Sequence, residues 1–215
     1  GYYHPGNWRK RRDFGTGTLG DMGCHMFSGW FRSLGLAAPI AVKSTGPAPL
    51  NATNWSINAV VEYTFKGTQY TAGETVKVTW YDGDARPPAE VMALADPAKF
   101  PGQGSIYIGT DGVLLHPHGS TPQLFPKEKF KGFKYPKLEP RNHWFDFIDC
   151  CLKGDKKPSA NFDYAGPLTE AVLLGCLASP FPGETLQWDA PGLKISNNEA
   201  ANALVKRQYR PGWEM

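Results

Sequence analysis

Apolar residues between positions 18 and 34 recur at helical spacing, with Leu19, Met22, Met26, Trp30 and Leu34 on one side of the predicted helix. Gly35 suits its C-terminal stop, and Pro39 prevents continuation. From Ile40 to Tyr81 the period changes to two. Ile57, Ala59, Val61, Tyr63 and Phe65 share one face, Val76, Val78 and Trp80 mark another strand, and Gly67-Thr68 and Asp82-Gly83 supply turn chemistry beside them. Ser105 to Leu115 reads as a hairpin closing around Thr110-Asp111-Gly112. The proline-, lysine- and glycine-rich stretch from His116 to Pro140 reads as a long excursion, either a functional loop or an arm over a partner. Apolar spacing in Trp144, Phe147, Ile148 and Cys151, then in Leu168, Ala171, Val172, Leu174 and Leu177, predicts two more helices. Two short strands, Thr185 to Trp188 and Leu193 to Ile195, follow.

A helix, then consecutive strands, then helices, without strand-helix alternation, predicts an α+β fold: an open, mostly antiparallel β-sheet with helices packed on one face. A doubly wound nucleotide fold is excluded. Residues 1–215 make one domain of ordinary apolar content, 41% hydrophobic. The uncovered sheet face, with its aromatic and β-branched residues, is expected to pair with another copy and so form a homo-oligomer.

The net charge of +3 is small, and the main basic cluster, Arg9-Lys10-Arg11-Arg12, is one local run, so nucleic acid is not an expected partner. No apolar run reaches the length of a membrane span, so no membrane partner is expected either. Cys24, Cys150, Cys151 and Cys176 lack zinc or redox spacing; Cys24 and Cys176 sit in apolar helical contexts and read as small core residues. Reduced thiols point to the cytoplasm. The start, Gly1-Tyr2-Tyr3-His4-Pro5, has no initiator methionine and is read as mid-protein, so any signal of the parent is out of view and the periplasm stays open.

Gly15-Thr16-Gly17-Thr18-Leu19-Gly20 has the spacing of a dinucleotide fingerprint ahead of a helix. Its context is wrong: Asn7 to Phe14 cannot form a buried strand, and Ala37 to Val42 supplies no acidic residue for a ribose. A turn that lets substrate approach the backbone is the preferred reading. Asp21 and His25, four apart, share a helix face, where a carboxylate can fix an imidazole tautomer for proton transfer. On spacing alone an ordinary helix-surface pair is the simpler account. No third ligand lies near enough in sequence to suggest a metal, and His116-Pro117-His118 could equally be an exposed turn.

Tyr3-His4-Pro5-Gly6-Asn7-Trp8-Arg9, Asp13-Phe14-Gly15-Thr16-Gly17 and Gly20-Asp21-Met22-Gly23-Cys24-His25 resemble the start of the C-terminal domain of the Gfo/Idh/MocA oxidoreductases. Thr79-Trp80-Tyr81-Asp82-Gly83, Ile108-Gly109-Thr110-Asp111-Gly112, Asn161 to Ala171 and Tyr209-Arg210-Pro211-Gly212-Trp213 resemble later segments of the same family, in order and over nearly the whole chain. The resemblance implies a substrate-side and oligomerisation domain whose N-terminal Rossmann partner, with the glycine-rich loop and a Glu-Lys-Pro motif, is absent here. It implies NAD or NADP in the full-length parent, no cofactor for this fragment, and no activity for the fragment alone. The family's Asp-x-x-x-His pair falls on Asp21 and His25: His25 would take a proton from a sugar hydroxyl while the neighbouring carbon gives hydride to nicotinamide, with Asp21 orienting the imidazole. Asn7, Trp8, Arg9 and Arg12 are the candidate substrate-binding residues, with Arg11 a further neighbour. The implied function is hydride transfer on a sugar, polyol or derivative. Alternatives are a cofactor-assisted glycoside hydrolase or lyase of the same family, and a non-catalytic carbohydrate-binding or assembly domain.

Overall fold

The computed structural model describes residue 4 and residues 6–214; Tyr3 and Pro5 of the opening motif lie outside the described residues. A 3-10 turn, Trp8–Lys10, leads into α1, Gly17–Ser33. Gly35 ends the helix at φ +62°, with the Leu36 amide donating to the Phe31 carbonyl. Strands β1, Ala41–Gly46, β2, Val60–Lys66, and β3, Thr75–Tyr81, form an antiparallel meander. A single helical turn, α2, Ala89–Met92, precedes the hairpin of β4, Gly104–Ile108, and β5, Val113–Pro117. A short strand β6, Gln123–Phe125, follows, then α3, His143–Lys153, and α4, Phe162–Ala178. Strands β7, Thr185–Asp189, and β8, Lys194–Ile195, and a last turn, α5, Glu199–Asn202, complete the order.

The fold is α+β, with open antiparallel sheets. The strands divide into two of them: a five-stranded sheet in the order β3-β2-β1-β7-β8, and a separate three-stranded sheet β4-β5-β6. In the larger sheet, Val42 opposes Tyr63 and Leu186, Val61 opposes Trp80, and Tyr63 opposes Val78. Period-two alternation therefore puts these residues and Phe65 on one face. Helices α1 and α4 cover it, and Phe27, Trp30 and Phe31 of α1 meet Tyr63, Phe65 and Trp80 in a cluster of tilted and edge-to-face rings. The smaller sheet has its own core of Val113, Leu115 and Phe125.

Several expectations need correction. Phe27 and Phe31, fully buried, belong to the α1 stripe that the simple spacing omitted. Ile57 is exposed because Asn58 takes positive φ and turns the chain just before β2 begins. Strand β6 lies inside the stretch read as loop; three residues between Pro122 and Pro126 are too few to show a period. Cys24 is exposed on α1, whereas Cys176 is buried in α4. The open face of the large sheet carries Lys43, Glu62, Thr64, Lys77, Thr79, Thr185 and Gln187, with Val60 and Tyr81 at one end. It is polar, not the aromatic surface that was expected to need cover.

Helix α3 is turned the other way. Its buried residues are Asp146 and Cys150, while Trp144, Phe147 and Leu152 are 70%, 59% and 79% exposed. It is held by polar contacts: the Asn142 side chain caps the Trp144 and Phe145 amides, and Asp146 accepts from Arg141 Nη2 at 2.5 Å and from the Ser159 amide and hydroxyl at 3.1 Å. Among the described residues no helix is long and apolar enough to cross a membrane.

Candidate active site

The outward side of α1 carries Asp21, Cys24 and His25, because Leu19, Gly23, Phe27 and Trp30 take the inward side. The chain just before α1 is folded over this surface and fastened to the loop at 51–55. Trp55 donates from its indole nitrogen to the Gly15 carbonyl at 2.7 Å and from its amide to the Lys10 carbonyl at 2.8 Å, and the Arg12 amide donates to the Thr53 carbonyl. Gly15 and Gly17 make this close packing possible. A Cβ at Gly15 would lie 2.4 Å from the Arg9 carbonyl oxygen, and one at Gly17, already at φ +71°, 2.9 Å from Trp55 Cβ. The molecules that approach this backbone are thus the chain's own residues, which corrects the expectation of an open turn for substrate.

The fold-back sets Arg9 against Asp21, with Nε 3.2 Å from Oδ1. The carboxylate expected to orient His25 is paired with a guanidinium instead, and no hydrogen bond joins it to the imidazole. Asp21 lies one turn closer to the helix start than His25, which is where the 3-10 turn delivers Arg9. Of the other candidates, Trp8 is exposed with the Arg9 guanidinium 5.5 Å from its ring centre, and Asn7 is half-buried at the head of the 3-10 turn. Arg12 stacks on Trp55 at 5.2 Å and donates to the Ala52 carbonyl. Arg11 is buried and donates to Thr53 Oγ1 at 3.0 Å. Arg9 and Trp8 therefore stay with the Asp21–His25 face, while Arg11 and Arg12 fasten the segment to the 51–55 loop.

The structure adds His118. Its ring stands 6.0 Å from that of His25, edge on. The β4–β5 hairpin carries it there: Ser105 Oγ donates to the Met26 carbonyl, and the His118 amide donates to the Gln103 carbonyl at 3.0 Å. Gly29 lets the hairpin close in, since a Cβ there would lie 2.9 Å from the Tyr107 hydroxyl and 3.6 Å from His116 Nδ1. Partial burial raises the Tyr107 hydroxyl pKa. The only sequence signal for His118 was the His116-Pro117-His118 run, which nothing linked to His25. Arg9, Asp21, His25 and His118 thus form a succession of neighbours able to hold an oxygen-rich ligand and to accept or return a proton. Among the described residues no three His, Cys, Asp or Glu side chains are grouped to hold a metal ion.

A second polar group lies inside, below Gly17 and Trp55, around a cavity of about 10 Å3 lined by Ser56, Asp82 and Cys176. Burial raises the Asp82 pKa, but its carboxylate accepts from the Ala59 amide at 2.7 Å and the Trp80 indole at 3.0 Å. Both donors are structural, so Asp82 is a joint between strand ends rather than a reactive acid. The Cys176 thiol donates to the Thr16 carbonyl, and burial pushes its pKa up to about 12, far from a reactive thiolate.

No protein-family model matches the chain, and no curated protein matches it.

Proposed function

We propose that the chain is the substrate-side domain of an NAD(P)-dependent oxidoreductase of the Gfo/Idh/MocA type, acting on a sugar, polyol or derivative. The observation that supports it most is the single exposed face on which Arg9, Asp21, His25 and His118 are neighbours. His25 accepts a proton from a substrate hydroxyl at an imidazole nitrogen. Asp21, one turn away, is paired with Arg9 and holds it in place, and Arg9 and Trp8 offer donors and a ring face to the sugar. His118 bounds the opposite side. Nicotinamide, when bound on its own domain, supplies the hydride chemistry, and no residue of this chain is assigned to hold it. That division of labour agrees with the openness of the site: an exposed imidazole lacks the water exclusion that a second domain would bring.

The test is made on the full-length parent that this reading requires. His25→Ala is expected to lower turnover by about a hundredfold to ten-thousandfold, the scale of a general base, with a smaller change in cofactor affinity. Asp21→Asn acts in the same direction. The control is His143→Ala, at the start of α3, where the imidazole lies tilted against the Trp144 ring. Normal turnover in a correctly folded His25→Ala protein would overturn the assignment.

His118 also favours a second reading. Two imidazoles on one face could serve in turn as base and acid, as cleavage of a glycosidic bond by a hydrolase or lyase with transient cofactor use requires. Net change in cofactor oxidation during turnover separates that reading from simple hydride transfer. A purely carbohydrate-binding domain would bind without turnover.

A further inference from the structure

Beyond His118 the chain enters β6 and then an arm, residues 126–140, whose aromatic side chains are not used by the core. Phe133 is 52% and Tyr135 45% exposed. They are nonetheless built into a shape. Tyr135 donates its hydroxyl to the Pro122 carbonyl at 2.8 Å, which fastens the arm back onto the strand. The Phe133 and Tyr135 rings meet at 5.2 Å and 81°, forming a corner. With Gln123, Leu124, Lys127 and Phe130 they line an open groove of about 260 Å3.

The charge around this groove is one-sided. Residues 127–137 hold Lys127, Lys129, Lys131, Lys134 and Lys137 against Glu128 alone. Lys129 is engaged by Asp111, and the Lys127 ammonium lies 5.4 Å from the centre of the Phe125 ring, at the edge of the groove. Aromatic faces, one amide and the Lys127 ammonium together fit a ring with apolar C–H faces, hydroxyls and a carboxylate. We propose that the groove is a subsite for a uronic-acid unit, so that the saccharide served by this domain is an acidic one. The link to His25 rests on the proposed function; binding in the groove does not.

Other anions fit less well. Successive nucleic-acid bases stack on ring faces that run along a strand, whereas these two rings are nearly perpendicular. An acidic peptide adding to the sheet would have only the three residues of β6 to pair with. The groove is also below the roughly 300–1,000 Å3 of a drug-sized site, as suits one monosaccharide unit.

The test is calorimetry on the 215-residue chain with trigalacturonate at low salt, and with maltotriose, triglutamate and oligo-dT as comparators. Trigalacturonate is expected to bind, and Phe133→Ala and Lys127→Gln each to weaken it by about tenfold, the size of one lost ring or charge contact. Both positions are on the exposed arm, and unchanged circular dichroism confirms that the fold is kept. His143→Ala, outside the groove and without a chemical role, should leave this binding unchanged. No detectable binding at millimolar trigalacturonate overturns the proposal, as does equal affinity for maltotriose, tighter binding of triglutamate or oligo-dT, or indifference to both arm variants. Failure here leaves the turnover expectation for His25 standing, and failure of that expectation leaves groove binding standing.

Discussion

Tyr63 carries its hydroxyl into the centre of the core, where it has no hydrogen-bond partner and where burial raises its pKa well above the ordinary tyrosine value. An unpaired buried hydroxyl costs roughly 1–3 kcal/mol, so Tyr63→Phe is expected to stabilise the fold by about 1 kcal/mol, read as a rise in the urea midpoint. A fall would show that the hydroxyl has a partner. The space for that hydroxyl comes from α4: a Cβ at Gly175 would lie 1.8 Å from it. At this scale the sequence was least informative. Cys24 and Cys176 both sit at apolar helical positions, yet one faces out and the other in. Asp21 and His25 were legible as a shared face, but that Asp21 pairs with Arg9 depends on a fold-back secured by Trp55, which lies beyond α1 in the sequence.

Among the elements, α3 shows how a period can locate a helix without naming its buried side. Trp144, Phe147, Ile148 and Cys151, which carry the apolar spacing, all face outward, and Asp146, 6% exposed at its side chain, takes the inward position because Arg141 and Ser159 satisfy its oxygens. The Arg141 hydrogen bond, followed by that of the Ser159 amide, lowers the Asp146 pKa from 3.8 to about 2. Because the folded value is depressed, the stabilisation is fully present above the unfolded value and is lost as pH falls through the folded one. The difference in melting temperature between the native chain and Asp146→Asn should therefore be constant above pH 5, narrow below about pH 4 and close near pH 2. A difference independent of pH would mean that the carboxylate charge is not what holds α3. The elements themselves were mostly legible: α1 was expected at 18–34 and spans Gly17–Ser33, and the 105–115 hairpin appears as β4 and β5.

For the molecule as a whole, association remains a proposal whose physical basis has changed. The open sheet face bears Lys43, Glu62, Lys77 and several threonines, so a contact made there is polar, and salt should weaken it. Light scattering at high protein concentration is expected to show a dimer or larger species that shifts toward monomer as salt is raised. A strict monomer at low salt would refute association. A salt-insensitive species lost on Phe147→Glu would place the contact on α3 instead. Local periodicity, turn residues and caps determined where helices and strands form, and their order without strand-helix alternation determined the α+β class, because these depend on residues a few positions apart. Tertiary structure alone decided the division into two sheets, the inverted face of α3, the pairing of Asp21 with Arg9 and the placement of His118 beside His25. Each is a choice of partner among distant segments, set by which side chains can be packed and satisfied together, and a period measured along one element carries no record of the surface it will meet.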